Sequence, residues 1–246
     1  MLSWHNSKKI QEKEEVLIML TLYTAIGSLK IKRDEMGNPA PVVINNRQEY
    51  GLSEHELVLW SCLAFQILQI YELEKAYTKR LADSGRPEGL SFSHYLNRLL
   101  LRGLIVKGDG LTGVDALYRL LGKLHIQPVT DCFPVRLFTC IQLYLEGKIK
   151  IRDFGRYLKK EKCEPMEEVV LELTKATDLT TAELLACVEQ GATAKNPKEV
   201  WNLLYEDMDA TYESLADEAQ LLHIQYPVLQ AVGNLYLNKQ ISFQQF

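Results

Sequence analysis

Residues 89–107 read Gly-Leu-Ser-Phe-Ser-His-Tyr-Leu-Asn-Arg-Leu-Leu-Leu-Arg-Gly-Leu-Ile-Val-Lys, and the expected fold follows from this stretch. Ser91 is a good helix N-cap, because its hydroxyl can accept a hydrogen bond from a free backbone N–H of the first turn. Gly103 is a residue type that commonly ends a helix. The sequence therefore predicts a helix over 92–102, followed by a short strand over 104–107.

The predicted helix has an apolar face and a polar face. At 100° per residue, five apolar side chains lie together and are expected to pack inward: Phe92, Tyr95, Leu96, Leu99 and Leu100. The outward face carries His94, Asn97, Arg98 and Leu101, with Ser93 and Arg102 at its edges. In the major groove of DNA, Asn pairs with adenine and Arg with guanine, and Ser and Arg also suit phosphates. These residue types are also common on any solvent-facing helix. The outward face can therefore be a DNA-contacting surface or an ordinary solvent-exposed surface, and both interpretations stay open.

Another strong helix is predicted upstream of this stretch. Ser53 is a good N-cap, and two glutamates follow in the first turn, where carboxylates complement the helix dipole. We expect either one helix over 54–80 or two helices that meet near Phe65. A loop that contains Gly and Pro follows over 82–89.

Residues 53–126 resemble the winged helix-turn-helix regulators of the broad MarR/PadR type. Leu52-Ser-Glu-His-Glu-Leu-Val-Leu-Trp60 resembles the first helix of such domains, and Leu99-Leu-Leu-Arg-Gly-Leu-Ile105 resembles the end of their recognition helix. The strand and a tight turn at Gly108-Asp-Gly110 resemble their wing. The resemblance implies a winged helix with a small β-hairpin wing. The loop over 82–89 departs from the pattern, because a helix-turn-helix has a turn of about three or four residues.

The resemblance also implies that the protein binds double-stranded DNA and regulates transcription. The residues expected to contact DNA are Ser93, His94, Asn97, Arg98 and Arg102 on the recognition helix, Lys107 on the wing, and Lys79 and Arg80 at the end of the preceding helix. The last three would contact the DNA backbone. Helix-turn-helix proteins commonly bind as dimers, so a homodimer is expected.

The sequence before residue 53 predicts a helix and a hairpin. Residues 10–25 have the wide apolar face of a helix. The runs 29–33 and 40–45 are alternating or β-branched and flank a Gly-Asn-Pro turn, which favours a small hairpin. We assign residues 1–130 to a winged-helix domain with an N-terminal helix.

Residues 131–246 are expected to form an all-α domain for dimerisation or for binding an effector or partner. Helices are predicted over 134–146, 151–160, 165–176, 180–190, 196–222 and 225–238, after one near 113–122. An apolar stripe on the helix over 196–222 suits core packing or a dimer seam; it consists of Tyr205, Met208, Tyr212, Leu215 and Leu222. The predicted fold class is thus mainly α. Residues 143–154 resemble 235–246, which leaves a duplicated helical unit open.

The charges are unevenly distributed. Residues 1–126 carry 16 Lys or Arg against 14 Asp or Glu, whereas residues 127–246 carry 12 against 18. This asymmetry suits a DNA-facing half and an acidic half that binds a protein partner. The start of the chain has no secretory signal, and no apolar run is long enough to span a bilayer, so a cytoplasmic location is expected.

Enzymatic and metal-dependent functions find no support in the sequence. The five cysteines and five histidines form no ligand pair of the spacing that zinc sites use, so free thiols are expected. Phosphate-loop, dinucleotide-binding and nucleophile-elbow motifs are absent. We therefore expect no catalytic residues, no metal and no cofactor.

Two classes of function remain. The first is a DNA-binding transcriptional regulator that acts through the winged helix. The second is a non-enzymatic adaptor in which the winged helix docks a protein, an alternative that the formal net charge of −4 favours. A replication factor of a mobile element would share the DNA-binding premise.

Overall fold

The computed structural model of the protein describes residues 19–33, 39–85, 89–129, 150, 163–192, 196–205 and 211–245. Of these residues, about 53% are helical and about 22% lie in strands. The strands form three antiparallel sheets of three strands each. The expected mainly α fold, a winged helix with one hairpin wing and an all-α second half, is therefore wrong.

The described residues contain nine strands and nine helices. The strands are β1 (Leu20–Ala25), β2 (Ser28–Arg33), β3 (Pro39–Asn45), β4 (Gln48–Gly51), β5 (Leu68–Gln69), β6 (Ile105–Gly110), β7 (His125–Pro128), β8 (Leu179–Thr180) and β9 (Ile241–Gln244). The helices are α1 (Glu54–Leu63), α2 (Ile70–Ser84), α3 (Phe92–Leu101), α4 (Gly113–Leu121), α5 (Pro165–Ala176), α6 (Thr181–Glu189), α7 (Pro197–Tyr205), α8 (Tyr212–Ala219) and α9 (Gln225–Leu237).

The first sheet joins distant parts of the chain. β1 lies between β5 and β6 and is antiparallel to both, so that Tyr23 faces Leu68 on one side and Lys107 on the other. In a hairpin wing, the strand after the turn would pair with β6. Here β6 pairs instead with β1, which precedes the helices in the chain. Gly108 to Gly110 lie within β6 itself. The predicted wing and its turn are therefore wrong.

Two glycines of β6 allow α4 to pack directly on the strand. A Cβ atom at Gly108 would lie 2.3 Å from the backbone nitrogen of Leu120, and one at Gly110 would lie 2.2 Å from that of Ala116. Both distances are far below van der Waals contact. Glycine within a strand marks such a close backbone approach as well as a turn, which explains why the turn prediction failed.

A second set of elements repeats the topology of the first. β7 lies between β8 and β9, antiparallel to both, and Ile126 faces Leu179 and Phe243. In the chain, α5, β8, α6, α9 and β9 follow one another as α1, β5, α2, α3 and β6 do, with α7 and α8 inserted. We call the elements β1, α1, β5, α2, α3 and β6 the first unit, and β7, α5, β8, α6, α9 and β9 the second unit.

The helix starts correspond residue by residue. Glu56 in α1 and Glu72 in α2 are as far apart in the chain as Glu167 in α5 and Glu183 in α6. Each of the four glutamates is the third residue of its helix and accepts a hydrogen bond from the backbone N–H of the N-cap residue. This is the capping box, which a glutamate closes at the start of these four helices.

The helix ends correspond as well. Gly103 after α3 and Lys239 after α9 are both left-handed, with φ of 61° and 60°. The backbone N–H of Leu104 then donates to the carbonyl of Leu99 at 2.9 Å, and that of Gln240 to the carbonyl of Leu235 at 2.8 Å. Both helices thus end in a Schellman motif that leads directly into a strand.

The two units meet at the hydroxyl of Tyr236 in α9. This hydroxyl is hydrogen-bonded to the Thr24 hydroxyl at 2.9 Å, to the Phe65 backbone nitrogen at 3.0 Å, and to the carbonyls of Ala25 at 3.0 Å and Leu63 at 3.3 Å. One hydrophobic core lies among residues from Ala25 to Ile105, and the other contains Ile26 with residues from Tyr118 to Phe243. The boundary between the two cores along the chain therefore lies near α4. The division into domains at residue 130 stays a prediction.

The remaining sequence-based expectations for the first half have mixed outcomes. The predicted helix over 10–25 is wrong at 20–25, which is β1, and its residues 10–18 lie outside the described residues. The expected hairpin is confirmed, because β2 pairs with β3. Of the two alternatives for residues 54–80, two helices that meet near Phe65 are confirmed and one continuous helix is wrong, since α1 ends at Leu63 and Phe65 has a left-handed φ of 57°.

Besides containing the strands β8 and β9, the second half differs from the prediction in one helix. The predicted helix over 196–222 is divided into α7 and α8. Its apolar stripe packs within the chain: Leu215 is buried, Tyr205 and Leu222 pack on the second core, and the Tyr212 hydroxyl donates to the Gly122 carbonyl at 3.3 Å. Met208, the helices predicted over 134–146 and 151–160, and most of the stretch 143–154 lie outside the described residues.

Replacing Gly108 or Gly110 by alanine is expected to lower the free energy of unfolding by about 2 to 3 kcal/mol, because the clash is with backbone atoms of α4 that cannot rotate away. Urea denaturation followed by circular dichroism measures the change. Gly113→Ala is the matched control, since a Cβ atom there meets nothing within 4 Å. Unchanged stability of both strand variants would contradict the close packing.

Candidate nucleic-acid interface

Helix α3 packs as its amphipathic pattern predicts. Tyr95, Leu96 and Leu99 are buried, and Phe92 and Leu100 are half-buried. The outward side chains are exposed; they are Ser93, His94, Asn97, Arg98 and Leu101. The two predicted faces are therefore confirmed, whereas contact of the outward face with DNA stays a prediction.

Polar and aromatic contacts hold the start of α3 in place. The hydroxyl of Ser91 accepts a hydrogen bond from the backbone N–H of His94 at 3.3 Å, as the N-cap assignment predicts. The Tyr95 hydroxyl accepts one from the backbone N–H of Leu90 at 3.0 Å, and the Tyr95 ring stacks on His55 of α1 with 5.1 Å between centroids. The outward face is thus presented on a helix that is fixed at its first turn.

Glu56 is the charged centre beneath the last turn of α3. Its side chain is only 1% exposed, and its Oε1 lies 3.3 Å from Arg98 Nε and 3.3 Å from Arg102 Nη1. Its Oε2 accepts a hydrogen bond from the backbone N–H of Ser53 at 2.8 Å. Two guanidinium groups therefore share one carboxylate, and the cluster keeps a net positive charge.

The environment of Glu56 favours its ionised form. Burial by itself raises the pKa of the carboxyl group. The backbone and side-chain hydrogen bonds from Ser53 and the charges of Arg98 and Arg102 together lower this pKa by more than burial raises it. The resulting pKa lies below the ordinary value of 4.5. Glu56 therefore stays a carboxylate at neutral pH and holds both guanidinium groups.

Arg102 is engaged within the chain. Its Nη2 donates to the carbonyl of Gly51 at 2.7 Å, and its guanidinium lies 5.5 Å from the centroid of the Tyr50 ring. Together with the contact to Glu56, these interactions tie β4 to α1 and α3. A contact of Arg102 with DNA would have to compete with them.

The other predicted DNA contacts lie on different elements. Lys107 is on β6 and forms an ion pair of 3.2 Å with Asp109, so it does not lie on a wing. Lys79 and Arg80 are exposed within α2, which continues to Ser84, and are thus not at the helix end. The Nη1 of Arg80 also donates to the hydroxyl of Ser61 at 2.6 Å.

The structure therefore brings four of the eight predicted residues to one exposed face. These are Ser93, His94, Asn97 and Arg98 on α3. Sequence reasoning missed the roles of Glu56 and Tyr50. The pattern of Ser53 and Glu56 marks a helix start, but no local pattern shows that Glu56 also contacts Arg102, 46 residues away.

The buried glutamates and cysteines of the described residues give no sign of a second chemical site. These residues include no group of three or more His, Cys, Asp or Glu side chains that could hold a metal ion. The buried Glu167 and Glu183 cap helices, and burial raises the pKa of the Cys62 and Cys187 thiols, which disfavours their thiolate forms. Within the described part of the chain, none of the helices is long and apolar enough to cross a membrane.

Glu56→Gln is expected to reduce the loss of stability in acid. A carboxyl group whose pKa is lower in the folded than in the unfolded state contributes stability above the unfolded value, and this contribution is lost as pH falls through the folded value. The free energy of unfolding of the wild type should thus fall as the pH drops below about 4.5, and by less in the variant. Urea denaturation at pH 7 and pH ~3.5 measures both losses.

The control for this measurement is Glu74→Gln, which removes an exposed carboxylate from α2. Its loss of stability in acid should equal that of the wild type. An equal loss in the Glu56 variant would show that the carboxylate contributes no pH-dependent stability.

Comparison of the chain with protein-family models, with curated proteins and with solved structures finds no match in any of the three. The function must therefore be inferred from the residues of the site.

Proposed function

We propose that this protein is a non-catalytic, DNA-binding regulator of transcription that contacts duplex DNA through the outward face of α3. The exposed chemistry of this face carries the proposal. Asn97 and Arg98 are residue types that recognise bases and phosphates, and His94 and Ser93 add hydrogen-bonding groups beside them. We also propose the cytoplasmic location that the sequence predicts.

The absence of carboxylates from this face supports an anionic ligand. Of the helices in the described residues, only α3 and α9 contain no Asp or Glu. Phosphates close to α3 would therefore meet no negative charge on the helix itself. Glu56, which contacts Arg98 of this helix, is buried and shared by Arg98 and Arg102.

The distribution of charge along the chain agrees with this choice of surface. The half that contains α3 carries more Lys and Arg than Asp and Glu, whereas the half that contains α9 is acidic. A positive half attracts DNA over a distance of about 10 Å at an ionic strength of 0.1 M. Because Arg102 and Lys107 are engaged within the chain, we expect few phosphate contacts and a shallow dependence of affinity on salt.

The adaptor remains a second candidate, and one observation favours it. Leu101 on the outward face is 89% exposed, and Leu90 beside the start of α3 is 60% exposed. Apolar side chains at both ends of a helix suit a protein surface better than a groove of DNA. The same helix would then dock a protein partner.

Full-length protein should select duplexes from a random-sequence library and bind them with an affinity that falls as salt is raised. Asn97→Ala is expected to weaken binding to the selected duplex about 10-fold, because a bidentate contact to adenine is lost. Fluorescence anisotropy measures the affinity. Asn202→Ala changes an exposed asparagine on α7 and is the matched control.

The absence of salt-sensitive binding to any duplex would refute DNA binding. A stable complex with a second protein that Leu101→Asp disrupts, together with no affinity for DNA, would establish the adaptor instead. Equal affinities of the Asn97 and Asn202 variants would show that DNA does not contact this face.

A further inference from the structure

The two units differ at the positions that matter for an anion. Arg98 and Asn234 each lie five residues before the left-handed residue that ends the helix, Gly103 or Lys239. By the same alignment, Arg102 corresponds to Asn238. The second unit therefore has two neutral amides where the first unit has two guanidinium groups.

The second unit shows that its fold does not need arginine at this place. Asn234 Nδ2 donates to Oε1 of the buried Glu167 at 3.1 Å, and Arg98 Nε lies 3.3 Å from Oε1 of the buried Glu56. Both contacts join the last helix of a unit to the capping glutamate of its first helix. An amide is sufficient for this contact, so the positive charge of Arg98 is an addition of the first unit.

The geometry at Arg98 leaves its charge available. The contact with Glu56 uses Nε, and the side chain is 49% exposed. Arg102 already neutralises the same carboxylate and is less exposed, at 26%. A guanidinium group held through Nε can still present its two terminal nitrogens to a second anion, in the forked arrangement that suits phosphate.

We propose that Arg98 binds a phosphate of the DNA backbone and that the buried carboxylate of Glu56 is the residue that positions its guanidinium group. This proposal rests on the proposed function, and it limits that function to the first unit. Glu56 does not contact the ligand. It acts by holding Arg98 in one orientation, which reduces the conformational entropy that a long side chain loses on binding.

The direction in which Glu56→Gln changes the affinity for DNA distinguishes a positioning role of Glu56 from a purely electrostatic one. Glu56→Gln preserves the capping box, in which glutamine can replace glutamate, but it removes a negative charge. If Glu56 only repelled phosphate, the variant would bind DNA more tightly. If it positions Arg98, the variant should bind at least about 3-fold more weakly in spite of the more favourable charge.

Glu167→Gln is the matched control, because Glu167 has the same place in the second unit and its replacement changes the net charge equally. Anisotropy of one labelled duplex is measured for full-length wild type and both variants. Circular dichroism and thermal unfolding establish that each variant is folded. The positioning role is overturned if Glu56→Gln binds as tightly as Glu167→Gln or more tightly.

Arg98→Asn places in the first unit the residue that the second unit has, so the fold should be retained. We expect it to weaken binding about 10-fold and to reduce the salt dependence by about one phosphate contact. Arg98→Lys keeps the charge but not the fork, and it should bind more weakly than wild type and more tightly than Arg98→Asn. Wild-type affinity of Arg98→Asn would exclude a phosphate contact at this residue.

An NMR measurement with inorganic phosphate separates this inference from DNA binding. The Nε–Hε resonance of Arg98 should shift and saturate as phosphate is added to the wild type, and it should not do so in Glu56→Gln. This result without any affinity for DNA would keep the anion site and refute the proposed function. No shift in the wild type would overturn the anion site, whatever the protein does with DNA.

Discussion

In each unit, the central strand of the sheet precedes the helices of the unit in the chain and lies between the two other strands. β1 pairs with β5 on one edge and β6 on the other, and β7 does the same with β8 and β9. The outer strands cannot pair with each other across this gap, and β5 and β8 are only two residues long. The central strand therefore satisfies the backbone of both neighbours and brings the first and last helix of its unit together. The close packing of α4 on β6 and the contact of Glu56 with α3 both depend on it.

The sequence predicted what is local and missed what is distant. The faces of α3 and its N-cap at Ser91 follow from periodicity and capping, which act over a few residues. Whether residues 54–80 form one helix or two stayed open, because no Gly or Pro interrupts them. β1 was predicted as helix because Leu20 to Ala25 is apolar enough for either structure, and its partners lie beyond any local window. The sheet of the second unit was missed because its strands have two or four residues, too few for an alternating pattern.

The candidate site was predictable to a similar degree. Periodicity placed Asn97 and Arg98 on the outward face, but exposure does not reveal that Arg102 is held by the Gly51 carbonyl and Tyr50. The repeated architecture supplies a comparison within one molecule. Where the units agree, as in the capping glutamates, the residue has the same structural role in both. Where they differ, as at Arg98 and Asn234, the fold accepts either residue, and the proposed anion contact concerns the first unit alone.

Hydrogen–deuterium exchange of the full chain, with and without a bound duplex, tests this assignment most directly. Addition of a selected duplex should slow exchange in peptides that cover α3 and its ends, residues 89–103, and leave α9, residues 225–237, unchanged. The two helices serve as each other's control, because they have the same place in their units and the same Schellman ending. If the duplex slowed exchange at α9 and not at α3, or slowed it equally at both helices, the result would contradict the account.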